Sequence, residues 1–454
     1  MKNSLSIYCW GTFCLGALLL STPACKKAEN VTISAARPEK SISSFFGSDI
    51  NVDRPAIIHL YKDTVYNVDV PLTRLSGEQL VIDEGALIKI GSQAITIQPG
   101  GIILANGTPD NPIVFTSSAP TGTQGANWGG IIIKGNSTDN AAGTGGIATD
   151  FSGSLHYVRI EFAGLTLTGV GNGTTIDNVQ VSYTQGQPAF EIDGGTFNAR
   201  NLVSYACGGA VDFYITRGFS GNMQNILAYR HPFFGAAGFN PPTALAGMFI
   251  ENNPSDTSRK PYTYPAISNL TVLGPDGQNG SQAAYSDTVS TRAAALITTG
   301  NAHFHIRNSI LAGFPEGGWY LDDSIIIKTL VENRSDFYYS IVQSNDTARA
   351  FYLKPHIYYA LISPDFKGYM IGQCNDQLFE KIEDLEFSSP FNYDAPNPLP
   401  AANSPVLTGA DFSGTVFGDA WFNKVTYRGA LGNDSWLHGW TNFTPLKTNY
   451  NFPK

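Results

Sequence analysis

The feature that most restricts the fold is a short strand-like motif that recurs along the middle of the chain. Each copy has aliphatic or small residues followed by an aromatic residue, and the aromatic positions are 21, 22 and 24 residues apart. An asparagine stands just ahead of three copies. The aromatic residues are Phe162, Tyr183, Tyr205 and Tyr229, and the asparagines are Asn178, Asn201 and Asn225. Repeats of this kind are expected to stack into one continuous body.

A period near 22 residues matches one coil of a parallel β-helix, which is built from three short strands and three turns. Each coil leaves its strand edges unpaired until the next coil stacks on it about 4.8 Å away, so equivalent residues form ladders. We therefore predict an all-β fold, a single-stranded parallel β-helix or solenoid. The four rings are expected to stack in an interior column. A leucine-rich repeat has a comparable period, but its framework of leucines is absent here.

The composition excludes several classes of protein. Only 14% of the residues are charged, whereas 42% are hydrophobic and 12% are aromatic. Disordered chains and long coiled coils need many more charged residues. The net charge is −9 and no basic block is present, so we predict no nucleic-acid partner.

The first 24 residues have the pattern of a signal peptide. Lys2 precedes a largely apolar stretch, and small residues, the last of them Ala24, come directly before Cys25. The stretch is too short to span a bilayer core of about 30 Å, but it suits a secretory signal that is removed. The cut resembles that of bacterial lipoproteins, in which the cysteine is lipidated. We predict that Cys25 carries a lipid, that residues 25–50 form a polar tether, and that the chain is anchored to the outer membrane of the cell envelope. The alternative is ordinary signal cleavage, which would give a soluble periplasmic or secreted protein.

The β-helix is expected to occupy residues 51–323, and its first part to serve as an N-terminal cap strand. The two ends of a stack of coils are exposed strand edges that need covers. Residues 324–454 are therefore predicted to form a C-terminal extension, a mixed lid over the last coil. Trp436 and Trp440 are expected to seal this C-terminal edge.

Five stretches together resemble a right-handed β-helix lipoprotein family that is common in the Bacteroidota. They are residues 80–85, 111–117, 127–133, 425–430 and 439–443. The resemblance implies a right-handed β-helix and a lipid anchor, and it leaves the activity open. Members of that family often carry a run of acidic residues beyond the coil that here contains Ser204 and Tyr205, but residues 208–214 of this chain retain only Asp212. The resemblance therefore implies no metal site in this chain.

Carboxylates and basic residues outside the aromatic repeats are the candidates for catalysis. If the chain is an enzyme, we expect Asp193, Asp212 and Arg217 on one accessible side, as a polysaccharide lyase or glycoside hydrolase would require. Glu191 and Glu251 are further candidates, and a carboxylate cluster is also the kind of site that takes Ca²⁺. The alternative is that these are scattered solubilising residues, because no acidic ladder recurs at the coil period.

Aromatic pairs suggest a different kind of site. Exposed flat rings stack on the apolar faces of sugars. We predict ligand-binding roles for Trp319, Tyr320, Tyr338 and Tyr358, with packing inside the lid as the alternative.

Metal and disulfide chemistry have little support in the sequence. His303 and His305 project to one face of a strand, but two ligands do not make a site, so we predict no metal and no cofactor. Cys207 and Cys374 are expected to be reduced.

The preferred interpretation is an envelope lipoprotein whose β-helix presents a surface for binding or for a structural role. A polysaccharide or a surface protein is the expected partner, in addition to the membrane that the lipid on Cys25 would enter. The alternative is a polysaccharide lyase or a glycoside hydrolase.

Overall fold

The computed structural model of the chain describes residues 37–47, 54–123, 126–141, 146–230, 244–274, 292–314, 317–321, 323–353, 365–392 and 395–450. Two α-helices lie within these ranges, Ser324–Val331 and Phe366–Gln373. None of the helices in the described part is long and apolar enough to cross a membrane. Cys25 and Tyr358 lie outside the described residues.

Nearly all of the described strands pair in parallel and belong to two sheets. Sheet 1 consists of Glu39–Ser41, Ile57–Leu60, Val65–Val68, Gln79–Ile82, Leu87–Ile90, Ile102–Asn106, Ile113–Ser117, Gly153–Glu161, Thr175–Ser182, Asn198–Tyr205, Asn222–Tyr229, Ala266–Leu273, His305–Arg307, Ile310–Ala312, Asp336–Tyr338, Ile341–Gln343 and Gln377–Phe379. Sheet 2 consists of Leu72–Arg74, Ile95–Ile97, Ile131–Lys134, Leu165–Thr168, Phe190–Asp193, Val211–Thr216, Ala244–Ile250, Arg292–Thr298, Trp319–Leu321 and Phe351–Leu353. A short antiparallel pair joins Phe387–Ser389 and Asn397–Pro400.

The chain winds as a parallel β-helix. One or two strands of sheet 1 are followed by a strand of sheet 2, and the chain then returns to sheet 1 one coil further on. The strand Asn198–Tyr205, for example, lies in register between Thr175–Ser182 of the preceding coil and Asn222–Tyr229 of the next. The predicted all-β parallel β-helix is confirmed.

From Tyr157 onwards, sheet 1 bends at one position in each coil, and this position explains the recurring asparagines. The bend residue has a φ between 48° and 58°, the left-handed region, which asparagine tolerates better than most residues. Asn225 Nδ2 donates to Asn201 Oδ1 at 3.0 Å, so side chains of successive coils are hydrogen-bonded. The bend residues are Tyr157, Asn178, Asn201, Asn225, Asn269, Asn308, Tyr339 and Asn375.

The predicted column of four rings is present. Phe162 and Tyr183 have ring centroids 6.0 Å apart, Tyr183 and Tyr205 also 6.0 Å, and Tyr205 and Tyr229 5.5 Å. The backbone register differs from the sequence alignment, since Tyr205 pairs with Ser182. The column also lies beneath a later part of the chain, which covers its outer side, because Tyr183 donates its hydroxyl to the carbonyl oxygen of Phe443 at 3.4 Å.

The stack of coils extends beyond residues 51–323 at both ends. Glu39–Ser41 pairs with Val65–Val68, and Gln377–Phe379 pairs with Ile341–Gln343. The strands that the two parallel sheets gain after residue 323 are only three residues long and are interrupted by a helix, so they carry too little alternation to be recognised in the sequence.

Residues 395–450, here called the C-terminal segment, do not simply close the last coil. They run back along the outside of sheet 1 towards the early coils, because Asn308, Gln224 and Gln180 contact progressively later residues of the segment. Trp440 packs on Tyr157 with ring centroids 5.8 Å apart. This corrects the expectation that Trp436 and Trp440 seal the C-terminal edge.

Candidate functional site

The outward side chains of sheet 2 form two ladders along the stack of coils. Alternation along each strand directs every second residue away from the core. The parallel register places Thr166, Glu191, Tyr214 and Phe249 in one ladder, and Thr168, Asp193 and Thr216 in the other. Glu251 continues the second ladder directly after the strand Ala244–Ile250. We call the surface formed by Glu191, Asp193, Tyr214, Arg217, Phe249 and Glu251 the acidic face.

The centre of the acidic face is an ion pair between Asp193 and Arg217. Arg217 Nη1 lies 3.0 Å from Asp193 Oδ2. The Asp193 side chain is 7% exposed, whereas that of Arg217 is 37% exposed. Asp193 Oδ1 has no hydrogen-bond partner among the described residues. The guanidinium group is therefore accessible to a ligand, whereas the unpartnered carboxyl oxygen is buried directly behind the surface.

Burial raises the pKa of Asp193 from its ordinary value to about 6. Arg217 opposes this rise by attracting the negative charge, and the neighbouring carboxylates Glu191 and Asp139 add to it by repulsion. Because desolvation exceeds the attraction of Arg217, Asp193 exchanges its proton close to neutral pH. A carboxyl group of this kind suits general acid and base chemistry.

Arg217 is held in place through its own backbone. It directly follows the strand Val211–Thr216 and has a φ of 54°, in the left-handed region. Its carbonyl oxygen accepts from the N–H of Asn140 at 2.9 Å, and its N–H donates to the carbonyl oxygen of Asn252 at 2.5 Å. The backbone bonds on both sides fix the direction in which the side chain leaves the coil.

Glu251 and Tyr214 form a second polar pair on the same face. The Tyr214 hydroxyl donates to Glu251 Oε1. Burial raises the pKa of Glu251, and the Tyr214 hydroxyl and Arg217 oppose this rise. Burial and the carboxylate also raise the pKa of Tyr214. The Tyr214 ring packs edge to face against Phe249, with centroids 5.8 Å apart.

Asp212 is not part of this site, although the sequence grouped it with Asp193 and Arg217. It is fully buried, and Ser204 Oγ donates to its Oδ1 at 2.7 Å. Arg230 Nε lies 3.1 Å from Oδ2. The corresponding residue of the next coil is Gly247, where an added Cβ would meet the core side chain of Val272, so this strand position faces inward despite the alternation that the sequence suggested.

The predicted aromatic residues do not form one exposed platform. Trp319 is fully buried and packs on Phe337, with centroids 5.0 Å apart. Tyr320 faces outward but is only 3% exposed, and it stacks on Tyr352 at 5.2 Å. Tyr338 is half-buried, with the Arg307 guanidinium 5.4 Å from its ring centroid. Stacking of a sugar on Trp319 is therefore excluded in this conformation.

Sequence reasoning did not identify Tyr214 and Phe249 as members of the acidic face. The signal was present, because both stand one strand position after an inward core residue, in line with Glu191. It could not be used without the register between coils.

The histidines and cysteines add no further chemistry to the acidic face. Burial is the main cause that lowers the pKa of His303 to about 4, and Phe304 between the two histidines is in the core. Cys207 and Cys374 are both buried and unbridged. In the parts of the chain that the structure describes, no group of three or more His, Cys, Asp and Glu side chains is arranged to hold a metal ion.

A family comparison agrees with the β-helix. The model of the family described as "Pectate-lyase like beta helix domain" matches residues 54–337. One solved structure, "Crystal structure of pectate lyase Pel9A", is 12% identical, with a TM-score of 0.34, and the similarity covers 87% of this chain and 96% of the other. No curated protein matches the sequence.

Proposed function

This chain belongs to the family of pectate-lyase-like β-helix domains, and from this premise we propose that it binds a carbohydrate polymer along the acidic face of sheet 2. The observation that carries the proposal is the Asp193–Arg217 pair, 3.0 Å long, on an outward face that also presents Tyr214 and Phe249. Planar charged groups bind sugar hydroxyls through several hydrogen bonds, and aromatic rings cover the apolar faces of sugars. Both kinds of group lie side by side here.

The charge of the face favours a neutral polymer. Glu191, Asp193 and Glu251 are acidic, whereas Arg217 is the one basic member of the face as defined above. A polyuronate would bring further negative charge against these carboxylates, and the repulsion would oppose binding. A neutral polysaccharide meets only hydrogen-bonding groups and rings.

Binding is tested by titrating the purified protein with a panel of soluble neutral and acidic polysaccharides in a calorimeter. We expect at least one neutral polymer to bind, and Arg217→Gln to weaken it about 10-fold or more, as expected for the loss of a charge-assisted hydrogen bond. Thr168→Ser, a neutral change one coil before Asp193, is the matched control and should bind normally. Binding that is unaffected by Arg217→Gln would place the site elsewhere.

A second function is favoured by one specific observation, the pKa of Asp193 near 6 on a face that carries a second carboxyl group, that of Glu251, two coils further on. Two carboxyl groups with different proton affinities are the requirement for glycoside hydrolysis. Cleavage is measured from new reducing ends, and from the absorbance of the unsaturated product for a lyase. We expect Asp193→Asn and Glu251→Gln each to abolish turnover if the face is catalytic. Binding without turnover of any polymer in the panel would leave the binding function alone.

We also propose that the chain is anchored in the envelope through a lipid on Cys25, as in the Bacteroidota lipoproteins that its sequence resembles. The support is the apolar stretch that ends in small residues before Cys25. Metabolic labelling with a fatty-acid analogue should mark the wild-type chain and not Cys25→Ala. Equal labelling of both would refute the anchor.

A further inference from the structure

A cavity separate from the acidic face lies where the last coil of sheet 1 meets the C-terminal segment. Its volume is about 710 Å³ and it opens to solvent. Its polar lining comes from two regions of the chain that are brought together only by the fold. The lining residues that matter here are Tyr339, Asn375, Asp376, Gln377, Asp411 and Arg428.

Asp376 is a buried carboxyl group with one unused oxygen. The residue is 3% exposed. Its Oδ1 accepts from the N–H of Ser340 at 2.8 Å, and its Oδ2 has no hydrogen-bond partner among the described residues. Burial raises the pKa of Asp376 well above its usual range. An unsatisfied buried oxygen is unfavourable by about 1–3 kcal/mol, so its presence at a cavity wall points to a ligand.

Arg428 brings an unused donor to the same cavity. It is also 3% exposed, and its Nη2 donates to Gln377 Oε1 at 2.7 Å and to the carbonyl oxygen of Pro405 at 2.8 Å. Its Nε has no partner among the described residues. Burial lowers the pKa of Arg428 to about 10, so the group remains a cation at neutral pH. Its packing requires Gly409, where a Cβ would lie 3.1 Å from the guanidinium carbon.

An aromatic ring stands at the edge of these polar groups. Tyr339 is the bend residue of its coil, with a φ of 55°, where most other coils have asparagine. It is half-buried and lines the cavity. The Arg307 guanidinium lies 5.9 Å from its ring centroid.

We propose that this cavity binds one neutral sugar residue through a pair of neighbouring hydroxyl groups, which satisfy Asp376 Oδ2 and Arg428 Nε, while the Tyr339 ring packs against the sugar. A hydroxyl group both donates and accepts, so two adjacent hydroxyls match an orphaned carboxyl oxygen and an orphaned N–H of two residues that line the same cavity. The match holds whether Asp376 carries a proton or not. A sugar acid is disfavoured because Asp411 adds a carboxylate to the wall.

The test is saturation-transfer difference NMR of the full chain with D-glucose, D-galactose, D-mannose, D-xylose, L-rhamnose and L-arabinose, together with D-galacturonate and D-glucuronate. We expect a signal from at least one neutral sugar, and Asp376→Ala to weaken its binding about 10-fold, because it removes the oxygen that a sugar hydroxyl would contact. Asp63→Asn, at an exposed carboxyl group in the first coils that belongs to neither site, is the matched control and should leave this signal unchanged. The sugar signal is tested at Asp376 and polymer binding at Arg217, so failure of one proposal does not decide the other.

A matched pair of variants covers the event that Asp376→Ala does not fold. Tyr339→Phe keeps the ring and should bind within about 3-fold of the wild type. Tyr339→Asn removes the ring but introduces the residue that most bends carry, so the coil should fold; we expect it to lose about 10-fold in affinity, within the range of ring stacking. Absence of any neutral-sugar signal, signals from the two uronates alone, or binding that survives both Asp376→Ala and Tyr339→Asn would overturn the proposal.

Discussion

The Asp193–Arg217 pair allows a prediction in which two physical effects have opposite signs. If the ion pair dominated, Asp193 would stabilise the fold most at neutral pH. If desolvation dominates, the pKa is raised in the folded state, here from 3.8 to about 6, and the stabilisation is present below pH 4 and lost as the pH rises towards 6. At about 1.4 kcal/mol per pKa unit, the loss amounts to about 3 kcal/mol.

Asp193→Asn removes this titration and keeps the shape of the side chain. Arg217, at 37% exposure, remains solvated in the variant, so no buried charge is left behind. We therefore expect the free energy of unfolding of the variant, relative to wild type, to rise by about 3 kcal/mol between pH 3 and pH 7.5. Urea unfolding followed by circular dichroism at several pH values measures this difference, and contributions of all other groups cancel in it.

Two companion variants sharpen the measurement. Arg217→Gln should move the wild-type transition to higher pH, because it removes the group that lowers the pKa of Asp193. Thr168→Ser, in register with Asp193 and without a titratable group, should give a difference independent of pH. A relative stability of Asp193→Asn that falls between pH 3 and pH 7.5 would refute the reasoning, since it would show that the ion pair outweighs burial.

Three further predictions concern the scaffold, each measured as a change in the free energy of unfolding in urea unless stated. Asn201→Ala should cost about 1–3 kcal/mol, because a φ of 56° is unfavourable for alanine and the bonds from Asn225 and to Asp177 are lost. Asn201→Gly should lose only these two bonds, so equal costs would contradict this. Gln224→Ala removes two bonds to the backbone of Asn423, so limited proteolysis should release the C-terminal segment sooner than from wild type while the coils stay resistant. Asp212→Ala should cost about 3–5 kcal/mol by leaving the Arg230 guanidinium buried without its partner, and a cost below about 1 kcal/mol would show that the pair is solvated.

The fold was predictable because equivalent positions of successive coils of a β-helix carry similar residues, so the sequence repeats at the length of one coil. The spacing of Phe162, Tyr183, Tyr205 and Tyr229 was enough to predict the stack, and the asparagines marked the bend. The backbone register was harder: Tyr205 pairs with Ser182, one residue away from the alignment, because rings of neighbouring coils reach each other across a shift of one residue. Side-chain contact and backbone register are therefore distinct properties. A sequence repeat indicates which side chains are in contact, but it does not give the backbone register.

The candidate site was predicted in part. Asp193 and Arg217 do lie together, since Asp193 ends a strand of sheet 2 and Arg217 directly follows the strand of the next coil. Asp212 was grouped with them wrongly. Inward and outward side chains alternate along a strand, but this predicts the direction of the Asp212 side chain only if the strand begins where the sequence suggests. Its inward direction becomes evident only from the glycine at the corresponding position of the next coil, Gly247.

The path of the C-terminal segment decides where a polymer can bind. Gln180, Gln224 and Asn308 of sheet 1 each hold one residue of the segment through both its N–H and its C=O, with the donor-acceptor distances between 2.7 and 3.0 Å. The segment thus covers the outward side of sheet 1 over several coils. None of the contacts that the described residues show for Asp193 or Arg217 involves it. A long ligand that follows the ladders of this β-helix therefore has to use sheet 2, which is where the acidic face lies.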